Sequence, residues 1–308
     1  MTILNIVLPV FLVIALGWGL RRGRFVDGAG NAVLTRMVYW VAAPALLFRS
    51  AAITPLHESV NPRALLVMTV VTVGMAVAVY LLAFRSRPSR RGVIAQGAFR
   101  SNQVFLGLPL VYNAWGADAV GQVAVLVGLM VILYNVLSVP LLTMPHRPVG
   151  AAPWAGALDG ARRIVTNPLA LGSIGGIALS ASGLGFPRAL DVSLDLVGRT
   201  ALPLALISVG AALDLRRMRN ELPVTGLVAV LKLGVYPALV WLGLSQLGVT
   251  GLALKAVVLI AATPTAVVSY VRSKEMGGDE QLAAGLIIGT TLAALPSTII
   301  WLLILGVR

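Results

Sequence analysis

Four polar side chains stand where the chain is otherwise apolar enough to form membrane helices. The stretch FRSNQVFLGLPL carries Arg100, Asn102 and Gln103, and the later stretch LIAATPTAVVSYVRS carries Thr263 beside Pro264. Amides and hydroxyls can bind a ligand directly or satisfy free backbone groups, and a guanidinium attracts an anion. These residue types indicate binding of a small anion inside the membrane.

Both stretches also contain helix-breaking residues, Gly107 and Pro109 in the first and Pro264 in the second. A break at mid-membrane leaves backbone N–H and C=O groups that lipid cannot satisfy, so it persists only against protein or water. The N-termini of half-helices attract anions, whereas the carbonyl ends attract cations. The paired breaks therefore predict a transport site, and the alternative is two kinks that serve packing alone.

Charged residues inside apolar segments need a reason to be there. Arg100 either counters an anionic substrate or reaches the cytoplasmic interface or a backbone carbonyl. Asp191, Asp195 and Arg199 are spaced by four residues, on one face of a helix, which predicts an ion pair near the outer surface or, alternatively, proton coupling. Lys232 is expected to neutralise another group or to reach the interface.

The composition excludes a soluble protein. The 308 residues are 58% hydrophobic and 11% charged, with no cysteine. The net charge of +13 comes from basic residues in short loops between apolar segments, which argues against nucleic-acid binding. No phosphate-binding loop, metal-ligand cluster or catalytic triad is evident. We therefore predict a protein that is not an enzyme and that needs no cofactor or metal.

Ten apolar segments are long enough to cross a bilayer. The predicted spans are residues 3–20, 29–49, 63–84, 92–114, 118–142, 164–183, 187–213, 221–247, 251–272 and 280–305. Fifteen basic residues fall in one set of alternate loops and four in the other. Because basic loops stay in the cytoplasm, both termini are predicted to lie outside it.

The two halves of the chain resemble each other. Pro44 and Pro203 stand in similar apolar contexts 159 residues apart, and Asp118 and Asp279 stand at similar corners 161 residues apart. An odd number of spans per half makes the second half inverted. We predict a first five-helix repeat, a cytoplasmic linker and a second, inverted repeat, at residues 1–142, 143–163 and 164–308.

SNQVFLGLPL resembles the fourth-helix motif of the bacterial auxin efflux carrier family, N-x-G-F-x-G-x-P, with Val104 in place of a usual glycine. APALLF, ALPLALISVGAAL and AATPTAVVSY support the resemblance over essentially the whole chain. It implies an all-α fold of ten transmembrane helices in two inverted five-helix repeats, in which broken helices 4 and 9 cross. By position, the resemblance places five residues at the crossover: Asn102, Gln103, Pro109, Thr263 and Pro264.

We therefore expect a secondary transporter that carries a small organic anion, such as a dicarboxylate or an auxin-like carboxylate, by alternating access at the crossover. Arg100 is the candidate counter-charge, and Asp191 and Asp195 are the candidate coupling carboxylates. The alternatives are a sodium-coupled symporter of the bile-acid type and a membrane sensor that does not transport. The expected location is the bacterial inner membrane, in contact with lipid, and the resemblance implies a homodimer.

Overall fold

The structure is a computed structural model that describes residues 3–54, 61–146, 166–185, 187–213 and 221–307. Over these ranges the chain is helical, and its isolated antiparallel β-bridge joins Ser101 to Thr265. An all-helical membrane fold, as predicted from the sequence, is confirmed. Of the predicted linker, residues 147–163 lie outside the described part of the chain.

The helices of the first half end at the predicted linker. They are α1 (Ile3–Arg22), α2 (Gly28–Met37), α3 (Ala43–Ile53), α4 (Pro62–Leu82), α5 (Pro88–Phe99) and α6 (Leu108–Thr143). Helix α6 turns a corner at Gly116, whose φ of 83° is a conformation that glycine adopts without steric cost. It therefore contains the end of the fourth predicted span and all of the fifth.

The second half is helical in the same manner. Its helices are α7 (Pro168–Ser182), α8 (Arg188–Ala212), α9 (Leu222–Val230), α10 (Tyr236–Gln246), α11 (Gly251–Ala261), α12 (Val268–Glu275) and α13 (Glu280–Ile304). The chain between α11 and α12 is not helical, so the ninth predicted span is interrupted.

Three helical junctions contain a wider, π-helical turn, at Val38–Ala42, Gln103–Gly107 and Leu231–Val235. Each of these turns ends two residues before a proline. The prolines are Pro44, Pro109 and Pro237. Proline lacks an N–H donor and its ring crowds the carbonyl four residues earlier, so a locally widened turn lets the helix continue past it.

Seven helical segments among the described residues are long and apolar enough to cross a membrane. The sequence predicted ten spans, and the difference arises where helices are short or interrupted. The fourth predicted span is broken after Phe99 and the ninth after Ala261, while α7 has only 15 residues. Length and composition alone do not identify such segments.

Helices α1 and α8 pack at glycines, so their backbones nearly touch. A Cβ added to Gly17 would collide with the backbone of Ile207, and one added to Gly210 would collide with the backbone of Ile14. Small residues let the two backbones approach closely, and the close contact contributes dispersion energy. This matters in a membrane, because lipid is itself apolar and burying apolar surface there drives little helix association. The two contacts hold α1 and α8 together at two positions along their length.

We expect Gly17→Ala to lower the melting temperature of the purified protein, because overpacking a close contact costs about 1–3 kcal/mol. Gly19→Ala is the matched control, since it lies on the same helix and an added Cβ there meets nothing within 4 Å. A thermal melt in detergent measures both. Equal melting temperatures for the two variants would contradict the close packing of α1 and α8.

Candidate functional site

The two interrupted helices meet at their breaks. The Asn102 N–H donates to the Pro264 carbonyl at 2.8 Å, and the Ala266 N–H donates to the Arg100 carbonyl at 3.0 Å. These bonds flank the Ser101–Thr265 bridge. Each break thus supplies backbone partners that the other has lost, in a region where residues 100–102 and 263–265 are all buried.

A hydroxyl from each break also caps the helix that ends at the other break. Ser101 Oγ donates to the Ala261 carbonyl, the last of α11, at 3.2 Å. Thr265 Oγ1 donates to the Gly97 carbonyl, near the end of α5, at 2.8 Å. The terminal carbonyls of a helix have no partner within it, so these bonds satisfy groups that would otherwise be buried and unpaired.

Arg100 is 4% exposed and therefore does not reach the membrane interface. Its guanidinium donates to Ser138 Oγ at 2.8 Å, to Asn135 Oδ1 at 2.9 Å and to the Tyr134 carbonyl at 3.3 Å, all on α6. Within the described residues it forms no ion pair with a carboxylate. Asn135 and Ser138 thus bond across helices, to a residue of the first break. The guanidinium is thus held in place while its charge lacks a described counterion.

Arg100 also has a second cation nearby. Arg272 of α12 is close enough to interact with it electrostatically, as is Tyr39. Like charges brought together in a poorly solvated region repel each other. Both guanidinium groups therefore contribute to a positive potential around Arg100.

The two predicted amides are buried at the crossing point and only partly satisfied. Gln103 Nε2 donates to the Val127 carbonyl at 3.0 Å, whereas Gln103 Oε1 and Asn102 Nδ2 have no hydrogen-bond partner among the residues that the structure describes. An unpaired buried amide costs roughly 1–3 kcal/mol, which a ligand group can recover. The free groups are one donor and one acceptor, side by side in sequence.

The other predicted site residues occupy distinct places around the breaks. Thr263 is buried and its Oγ1 donates to the Ile260 carbonyl at 2.7 Å. Pro264 lies within the second break and contributes the carbonyl that receives Asn102. Pro109 lies in the first turn of α6, beyond the π turn, and is buried. The structure therefore brings Asn102 and Pro264 into direct contact.

The candidate coupling carboxylates lie apart from the crossing point, in an ion cluster between α3 and α8. Arg49 reaches Asp191 at 2.7 Å and Asp195 at 3.1 Å, and Arg199 reaches Asp195 at 2.7 Å. The pair of Asp195 with Arg199, predicted from their spacing of four residues, is present. No local pattern indicated that Arg49, at the end of the second predicted span, would join these carboxylates.

Sequence reasoning also missed Ser101, Thr265 and the position of Lys232. Lys232 is fully buried, and its Nζ donates to the Ala261 carbonyl at 2.6 Å. It therefore does not reach the interface. A hydroxyl beside Asn102 and another beside Pro264 were visible in the sequence, but their partners belong to segments some 160 residues away.

Comparisons with known proteins relate this chain to membrane transport proteins. A family model described as "Membrane transport protein" matches residues 2–151 and 158–302. A Rhizobium meliloti protein named "Putative malonate transporter" is 29% identical over 303 residues, covering 94% of this chain and 92% of that protein. A Methanothermobacter thermautotrophicus protein named "Uncharacterized transporter" is 26% identical over 306 residues, covering 97% of each.

We expect Asn135→Leu to lower the melting temperature, because it leaves a donor of the buried Arg100 guanidinium without an acceptor, at a cost of about 1–3 kcal/mol. In the double variant Arg100→Met, Asn135→Leu, the loss should be smaller than the sum of the two single losses. Asn5→Leu, at an exposed helical asparagine, is the control. Strictly additive losses would show that Arg100 and Asn135 are not coupled.

Proposed function

The chain belongs to the auxin efflux carrier family of membrane transport proteins, and on that premise we propose that it is a secondary permease for a small organic anion. Membership of this family makes it a membrane transporter and not an enzyme. The observation that carries the choice of an anion is the buried Arg100 at the crossing point, with no described carboxylate paired to it.

The polarity of the two breaks supports the same choice of substrate. The carbonyl ends of α5 and α11 are already capped, by Thr265 and by Ser101. The helical segment that follows the first break begins at Gln103, and its first N–H groups have no partner within the helix. The carbonyl ends of α5 and α11 are thus capped internally, and the N-terminal end at Gln103 remains for a carboxylate.

In this proposal the substrate is held by Arg100 through charge and by Asn102 Nδ2 through a hydrogen bond, with Gln103, Thr263, Pro109 and Pro264 shaping the site. Malonate is the probe of choice, because the name of the Rhizobium meliloti relative points to it. A compact dicarboxylate also suits two neighbouring cations better than a monocarboxylate does.

The transport cycle proposed here needs the architecture that the sequence predicted. We propose ten spans in two inverted repeats, residues 1–142 and 164–308, joined by a cytoplasmic linker. The order of elements supports these repeats, since each half contains a long helical segment followed by a short helix and then a break. In the first half these helices are α4 and α5, and in the second half they are α9–α10 and α11. Alternating access then moves the crossing helices against the rest. Both termini outside the cytoplasm, the inner membrane and a homodimer complete the proposal.

Coupling to a proton gradient is assigned in this proposal to Asp191 and Asp195. Both are partly exposed, at 34% and 25% of their side-chain surface, so protons can reach them. Protonation of either would remove its attraction for Arg49 and so loosen α3 from α8. The cluster would then sense protonation at a helix interface, away from the anion site.

We expect Arg100→Gln to slow uptake of labelled malonate into proteoliposomes by roughly ten- to a hundredfold, since a hydrogen bond to a charged group contributes about 1.5–3 kcal/mol. Asn102→Ala should slow uptake by a smaller factor. Arg36→Gln, at an exposed arginine of α2, is the matched control. Unchanged uptake by both site variants would remove the crossing point as the anion site.

We expect Asp195→Asn to abolish the acceleration of malonate uptake by an imposed pH gradient, because an amide cannot carry the proton. Uptake is measured with and without the gradient in wild type, Asp195→Asn and Asp27→Asn, the last of which changes an exposed capping aspartate of α2. Equal acceleration in all three would leave the Asp191 and Asp195 cluster with a structural role only.

A further inference from the structure

Lys232 is a buried cation that the proposed anion site does not use. It lies in the π turn Leu231–Val235, halfway along the predicted eighth span, and is fully buried. No carboxylate among the described residues forms an ion pair with it. An ammonium group inside the membrane is costly unless nearby groups compensate for the lost water.

The compensation comes from the carbonyl end of α11. Lys232 Nζ donates to the Ala261 carbonyl at 2.6 Å and stands 4.6 Å from the centroid of the Tyr236 ring. The last carbonyls of a helix carry about half a negative charge, and the face of an aromatic ring also attracts a cation. The ammonium is thus surrounded by groups of the kind that bind a positive charge.

At the other break, no cationic side chain among the described residues donates to the carbonyl end of α5. The carbonyl end of α5 is capped by the neutral Thr265 hydroxyl, whereas the end of α11 receives both the Ser101 hydroxyl and the Lys232 ammonium. The two breaks are otherwise alike in their reciprocal caps. The asymmetry singles out the Ala261 carbonyl as a cation position.

In membrane carriers with broken helices, the unwound carbonyls and the carbonyl ends of half-helices coordinate the coupling cation. We propose that Lys232 is a tethered substitute for such a cation: its ammonium occupies the position at the Ala261 carbonyl that a sodium ion would otherwise need to fill. This inference rests on the proposed function. It adds that the carrier has a cation tethered inside the protein and therefore works without sodium.

The first test uses melting temperature and needs no substrate. Wild type, Lys232→Gln and Lys255→Gln are melted in sodium chloride and in choline chloride of equal concentration. Lys255 is the matched control, because it lies on α11 but is partly exposed. Glutamine is neutral and shorter than lysine, so it leaves room beside the Ala261 carbonyl.

We expect the same melting temperature for wild type in both salts. Lys232→Gln should melt lower in choline and regain most of the loss in sodium, while Lys255→Gln should behave as wild type does. A specific stabilisation of wild type by sodium would overturn the inference, and so would a Lys232→Gln variant that gains no more from sodium than Lys255→Gln. If Lys232→Gln does not fold, the wild-type comparison alone decides.

The second test separates this inference from the proposed function. Uptake of labelled malonate by wild type is measured in proteoliposomes with sodium or with choline on both sides. Equal uptake in the two salts supports the inference. Uptake that requires sodium overturns the inference but leaves anion transport intact. Absence of uptake in both salts counts against the proposed function, and the melting temperatures then decide the role of Lys232.

Discussion

The whole central region depends on one constraint: backbone groups freed by a break inside the membrane must find partners in protein. Here the two breaks satisfy each other, through two backbone hydrogen bonds and two hydroxyl caps. Neither break would be stable alone, because lipid offers no hydrogen bonds. The pairing also leaves the carbonyl ends of α5 and α11 capped by the facing break.

The sequence was sufficient to locate the breaks and to predict their partnership. Asn102, Gln103 and Pro264 are polar or helix-breaking residues in apolar surroundings, and the resemblance to the auxin efflux carriers implied that the two broken helices cross. These features could be predicted because each residue is polar or helix-breaking in a segment that would otherwise form an apolar helix.

Other features depended on contacts that no local pattern encodes. Arg49 joins Asp191 and Asp195 from a distant helix, and Lys232 meets a carbonyl 29 residues further along the chain. In the sequence, the glycines of α1 and α8 look like ordinary small residues, because their close contacts are with the backbone of the facing helix. Counting spans by hydropathy was limited for a related reason, since the two interrupted helices and the short α7 are the least regular ones.

The glycine contacts have a mechanical consequence. Gly17 and Gly210 hold α1 and α8 backbone to backbone, and Gly172 and Gly176 do the same for α7 against Pro44 and Phe48 of α3. Surfaces that interlock in this way cannot slide without first separating, which would open voids along both helices. Each of these two helix pairs, α1 with α8 and α3 with α7, is thus joined as one stiff unit, and any displacement large enough to carry a solute must take place along another seam.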